Sequence, residues 1–185
     1  MRLKTIVLTA ALISVTNLAA FAQTHQTQPT TTAQTQSSRD ATREKLRTVL
    51  AETGPKIKVT FRQSDQQPYN FVGLMKEGLT NADSFEIVIL VGDQETIHFR
   101  IFPKYKGAYI NVDKASDRAG LLRQMVRLSD KNFLYWGADE SFDVFAGYNF
   151  TLESGFPKES VNVVLNSIKN LDEFIGQMKS SIDGN

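Results

Sequence analysis

Residues 85–102 read FEIVILVGDQETIHFRIF, and this stretch decides the fold. Phe85, Ile87, Ile89 and Val91 alternate with Val88 and Leu90, so both faces of the first half are apolar. That pattern predicts a central strand covered on both sides. Gly92-Asp93 reads as a two-residue turn. The return, Glu95 to Phe102, places Ile97, Phe99 and Ile101 on one face and Thr96, His98, Arg100 and Phe102 on the other. Two strands around a tight Gly-Asp connection make a β-hairpin.

Outward from the hairpin, the chain predicts more strands and three helices. Upstream, Tyr69 to Met75 reads as a strand interrupted at Gly73, Arg62 to Pro68 as a polar turn, and Lys56-Ile57-Lys58-Val59-Thr60-Phe61 as a half-buried strand. Before them a helix is expected over 40–53. Asp40 is its N-cap, Leu46, Val49 and Leu50 form its apolar stripe, and Gly54-Pro55 stops it.

Downstream, Tyr109 to Val112 extends the sheet. A helix capped by Asp113 or Ser116 then follows, with apolar positions Ala119, Leu122, Met125 and Val126. Asn132 to Ala138 and Phe142 to Thr151 form a second, aromatic hairpin around Asp139-Glu140-Ser141. Pro157 suits the first position of a closing helix whose buried face is Val161, Val164, Leu165, Ile168, Leu171, Ile175 and Met178. There is no βαβα alternation, so one α+β domain over 40–185 is expected. Its antiparallel sheet with flanking helices runs in the order α-β(3-4)-α-β-β-α.

The order resembles the fold shared by the bacterial YbjN family and the type III secretion chaperones. The likeness is carried by AGLLRQMVRLSDKNFLYWGADESFDVFAGYNF, similar to that fold's middle helix and aromatic hairpin, and by SVNVVLNSIKNLDEFIGQM, similar to its closing helix. The resemblance spans residues 40–180 and implies a non-enzymatic domain that binds other polypeptides or forms homodimers.

The N-terminus reads as an address. Arg2 and Lys4, an apolar run from Ile6 to Val15, and Ala20-Phe21-Ala22 make a secretory signal over 1–22, too short to span a membrane. Residues 23–39 are Gln/Thr/Ser-rich, without a large apolar residue, and are expected to form a disordered linker. The expected location is the periplasm or the medium. The lack of cysteine removes thiol chemistry and thiolate zinc sites. With 21 Lys and Arg against 20 Asp and Glu, the overall charge gives no general attraction to nucleic acid or anionic lipid.

No catalytic, cofactor-binding or metal-ligating residue is expected. His98 sits on the polar strand face without a G-x-S-x-G or S-x-x-K companion and reads as a surface residue. Asp139, Glu140 and Asp143 lack the spacing and glycine of a calcium loop. Asn149-Phe150-Thr151 matches a glycosylation sequon, but it falls in an expected strand of a chain of bacterial character.

The aromatics Phe133, Tyr135, Trp136, Phe142, Phe145, Tyr148 and Phe150 are the better lead. Phe142, Tyr148 and Phe150 read as core. Tyr135 and Trp136 point to opposite faces, so one of them joins Phe145 in an exposed patch, and Gly147 marks a bulge or a close approach by another chain. Tyr135, Trp136 and Phe145 are therefore the candidate partner-binding residues. The expected function is binding of a polypeptide, by strand addition at a sheet edge or by hydrophobic contact, or self-association. The alternative is a carrier of a small apolar ligand between sheet and helices.

Overall fold

The computed structural model describes residues 31–184, with side chains from residue 36 onward. The signal over 1–22 and the first part of the tract that follows it lie outside the described residues.

The expected α+β architecture is present. Helix α1 (Thr31–Thr53) leads into β1 (Arg62–Gln63), β2 (Asn70–Met75), β3 (Ser84–Val91), β4 (Thr96–Tyr105) and β5 (Ala108–Tyr109). Then come α2 (Arg118–Asp130), β6 (Tyr135–Ala138), β7 (Val144–Thr151), α3 (Lys158–Ser167) and α4 (Leu171–Asp183). The strands form one antiparallel sheet in the order β1-β2-β3-β4-β7-β6, with β5 paired to β4.

Phe85, Ile87, Ile89 and Val91 of β3 face the helices, together with Ile97, Phe99 and Ile101 of β4. They join Leu46, Val49 and Leu50 of α1, Leu121, Met125 and Leu128 of α2, and the whole apolar stripe from Val161 to Met178 in one core. That stripe is divided: α3 passes through a 3-10 turn at Ile168–Asn170 into α4, and Pro157 stands one residue before α3. Asp172, buried in the first turn of α4, accepts bonds from the amides of Thr80, Asn81 and Ala82 and from the Thr80 hydroxyl, at 2.8–3.1 Å. Burial opposes its charge, but these bonds outweigh it and hold the carboxyl below its ordinary range.

Five local expectations are corrected. First, the chain is already helical at Thr31, the first described residue, so residues 31–39 belong to α1 and Asp40 lies inside the helix instead of capping it. Polar contacts tie residues 38 and 39 to the chain around the sheet. Arg39 Nε donates to Val91 O at 2.9 Å, its guanidinium lies 3.7 Å from the Tyr69 ring centroid, and Ser38 Oγ donates to Glu95 at 3.0 Å. Asp40 instead accepts from the Tyr69 hydroxyl at 2.8 Å.

Second, residues 56–61 are not a strand. Gly54–Ile57 is a 3-10 turn, and Lys58 is left-handed at φ 59°. Val59 N returns to Gly54 O at 2.8 Å, an approach that a Cβ on Gly54 would obstruct. Val59 and Phe61 still reach the core, packing over Gly73. Third, the first hairpin uses residues 92–95 rather than two, with Gly92 N bonded to Thr96 O at 2.8 Å and Glu95 at φ 52°.

Fourth, α2 is capped by Asp117, whose carboxylate accepts from Gly120 N at 2.8 Å. Asn111 caps the 3-10 turn before it. The buried face of α2 is Leu121, Met125 and Leu128, whereas Ala119, Leu122 and Val126 lie outside. Fifth, Phe142 is not core. It is 50 % exposed in the second turn at φ 63°, while Tyr148 and Phe150 do pack on the core. Asp139 makes that turn, its carboxylate accepting from Ser141 N and Asp143 N at 2.9 and 3.0 Å.

Candidate functional site

The expectation of a strand covered on both sides fails for β3, and the failure defines the site. Glu86, Val88 and Leu90 point away from the helices and are only half-buried. None of the side chains on their face belongs to the core. Antiparallel register lays that open face out in rows. One row is Asn70, Leu90, His98 and Asn149. The next is Val72, Val88, Arg100, Gly147 and Tyr135. The third begins Leu74, Glu86 and Phe102, and Phe102 meets Phe145 at 5.6 Å between ring centroids.

Cross-strand contacts organise this face without any helix among the described residues. Tyr135 packs edge-on to Phe145 at 6.1 Å, and Phe102 does the same to Tyr109 at 5.9 Å. The two glycines of the hairpin are platforms for rings. A Cβ on Gly147 would lie 2.6 Å from Tyr135 Cζ, and one on Gly137 would lie 3.0 Å from Phe145 Cζ. The expectation that Gly147 admits a bulge or another chain is corrected: the space beside it is taken by Tyr135 of the same chain. Phe145, although on the open face, is only 6 % exposed because Phe102, Tyr135 and Arg100 surround it.

The face's charges differ in how far they are committed. Glu86 is held by Lys104 at 3.2 Å and by the Tyr109 hydroxyl at 2.6 Å. Burial and that bond push the Tyr109 phenol above its usual range. Arg100, at the centre, stacks 5.0 Å from the Phe145 centroid and makes no ion pair among the described residues. It also borders an open cavity of about 550 Å³ with Ala138, Asp139, Glu140 and Ser141.

His98 is tied at both ring nitrogens, Nδ1 to Asn149 Oδ1 at 2.9 Å and Nε2 to Thr96 Oγ1 at 2.8 Å. If Asn149 presents its oxygen, Nδ1 carries the proton and Nε2 accepts from the threonine. The order resembles nucleophile, base and orienting group. None of the three lines the cavity beside Arg100, and the two bonds fix the ring in its row.

Of the candidate residues, Tyr135 and Phe145 come together on the open face, Tyr135 being 39 % exposed. Trp136 does not join them. It points into the helix-facing core, 7 % exposed, with Phe174 of α4 at 6.5 Å. Its exclusion follows from strand parity, since it pairs with Ala146 while Tyr135 pairs with Gly147.

Leu74, Val88, Leu90, Phe102 and Arg100 were not anticipated at the site. The signal was available, because the second apolar face of FEIVILV has to meet the polar face of the return strand across the hairpin.

The sheet edges are less open than its face. On β6 the outward amide of Trp136 already donates to Ser129 Oγ of α2 at 2.8 Å, and β1 at the other edge is two residues long. No protein-family model, curated protein or solved structure matches the chain.

Proposed function

We propose that this chain is an exported, non-enzymatic binding domain whose open sheet face captures a polypeptide, a second copy of the chain included. The observation that carries the reading is an apolar and aromatic surface lying outside the core. Leu74, Val88, Leu90, Phe102 and Tyr135 surround an arginine that has no carboxylate partner among the described residues. Aromatic and arginine side chains on one surface are what protein interfaces concentrate. Short, capped edges favour docking on the face over strand addition. The resemblance to YbjN proteins and secretion chaperones points the same way.

A carrier of small apolar ligands has less support. Helix-facing side chains such as Phe85, Ile87, Phe99, Leu121 and Ile175 are fully buried, and the cavity at Arg100 opens on the other face. Site-specific photo-crosslinking in the producing cell tests the proposal, with the reactive group at Leu74 on the open face or at Val163, an exposed apolar position on α3. Polypeptide adducts from Leu74 and not from Val163 are expected, and adducts of doubled mass would identify a second copy. Adducts from Val163 alone, or from neither position, overturn the reading.

A further inference from the structure

Helix α2 carries a second apolar stripe that the fold does not use. Its buried face is Leu121, Met125 and Leu128. At 100° per residue, Ala119, Leu122 and Val126 fall on a separate stripe. Leu122 is 47 % exposed and Val126 is 74 % exposed. Arg118 borders this stripe on one side, and Arg123 and Arg127 border it on the other, all three exposed.

The acidic groups nearby are few. Asp113 pairs with Arg118 at 3.4 Å, Asp117 is engaged as the cap, and Asp130 ends the helix. Arg123 and Arg127 make no ion pair among the described residues. The near-zero charge of the whole chain therefore conceals a local basic ridge with an aliphatic crest.

The charge on its flanks selects the occupant. Val126, 74 % exposed, is flanked by cations on both sides of the stripe, and of these only Arg118 has an acidic partner among the described residues. The matching surface is flat, yielding and negatively charged. We infer that the outer face of α2 binds an anionic lipid bilayer, with Leu122 and Val126 entering the headgroup boundary while Arg123 and Arg127 pair with lipid phosphates. Arginine suits this place because its stem lies along apolar surface while its head stays with the phosphates. The surface is separate from the open sheet face, so the domain can hold a polypeptide on one side and a membrane on another.

The test is co-sedimentation of the protein, as recovered from the cells that make it, with phosphatidylcholine vesicles containing or lacking phosphatidylglycerol. Binding to the anionic vesicles alone is expected, falling as salt rises. Arg123→Glu and Arg127→Glu should each weaken partitioning by about fivefold or more. Val126→Asp should weaken it too, whereas Leu90→Asp on the sheet should leave it unchanged and alter only the cross-linking from Leu74. Circular dichroism confirms that each variant is folded, and Arg123→Gln with Arg127→Gln keeps the test open if a reversal unfolds the helix.

Equal binding to both vesicle types, no binding, or full binding by the α2 variants overturns the inference. So does capture of a Glu-flanked, Leu/Val-striped helical peptide in place of the vesicles, which would make the ridge a protein-docking surface.

Discussion

One sheet presents two apolar faces, and only one of them is a core. On the helix side, Phe85, Ile87, Ile89, Phe99 and Ile101 are fully buried beneath four helices. On the other, Val88, Leu90 and Phe102 are half-buried by nothing more than their neighbours in adjacent strands. The two sets alternate along the same strands and differ little in residue type. Apolarity brought both faces into the sheet, and the placement of the helices decided which became stability and which became surface.

The largest effect should come from cutting into the helix side. Phe99→Ala removes a ring with no exposed surface that packs edge-on against Phe150 at 5.9 Å. It should cost about 3–5 kcal/mol, measured by urea denaturation. Leu74→Asp on the opposite face should cost no more than about 0.5 kcal/mol in the same experiment. Equal losses at the two positions would mean that the open face is core after all, and the contrast between the faces would be gone.

The next effect concerns how the helices are held to the sheet. Asp172 fastens α4 to the loop before β3 through the amides of Thr80, Asn81 and Ala82. Asp172→Ala leaves those amides without their acceptor and should cost about 3 kcal/mol. The same group gives a pH dependence with a definite sign. Its folded pKa is lowered, so its contribution is complete at neutral pH. That contribution begins to fall near the unfolded value of 3.8 and is lost as the pH drops through the folded value below it. Stability measured from pH 6 to pH 2 should therefore decline more steeply in the wild type than in Asp172→Ala. Parallel curves would show that the carboxylate is not a stabilising clamp.

The same two-sidedness explains what could be read in the sequence. The strand and hairpin at 85–102 were legible because β-branched alternation is a local property. The stripe from Val161 to Met178 was legible because only one face of those helices is apolar. On α2 both Ala119/Leu122/Val126 and Leu121/Met125/Leu128 have helical spacing, and periodicity alone cannot say which stripe meets the core. Residues 56–61 alternate like a strand, yet Gly54-Pro55 leads into a 3-10 turn that reverses through Lys58, so Val59 reaches the core from a loop. The first turns of α1 hold no large apolar residue at all. The contacts that Ser38 and Arg39 make there are with Tyr69, Val91 and Glu95, which lie far away in the sequence. Of the candidate site, Tyr135 and Phe145 followed from aromatic clustering. Arg100 and Leu74 required the register.

A smaller effect sharpens the contrast further, because it asks what orders a sheet face that no helix among the described residues covers. The ring of Tyr135 lies across Gly147, leaving no room for a Cβ there. Gly147→Ala should therefore displace the ring from its place beside Phe145 and cost about 1 kcal/mol, net of the better strand propensity of alanine. If the cost comes from that collision, it must disappear when the ring is absent. In a Tyr135→Ala background, Gly147→Ala should be neutral or slightly stabilising, giving a coupling of about 1 kcal/mol in a double-mutant cycle. Additive losses would instead place the constraint on Gly147 in the backbone. With the predicted coupling, the open face is ordered before any partner arrives, and its aromatic surface is presented at little further entropic cost.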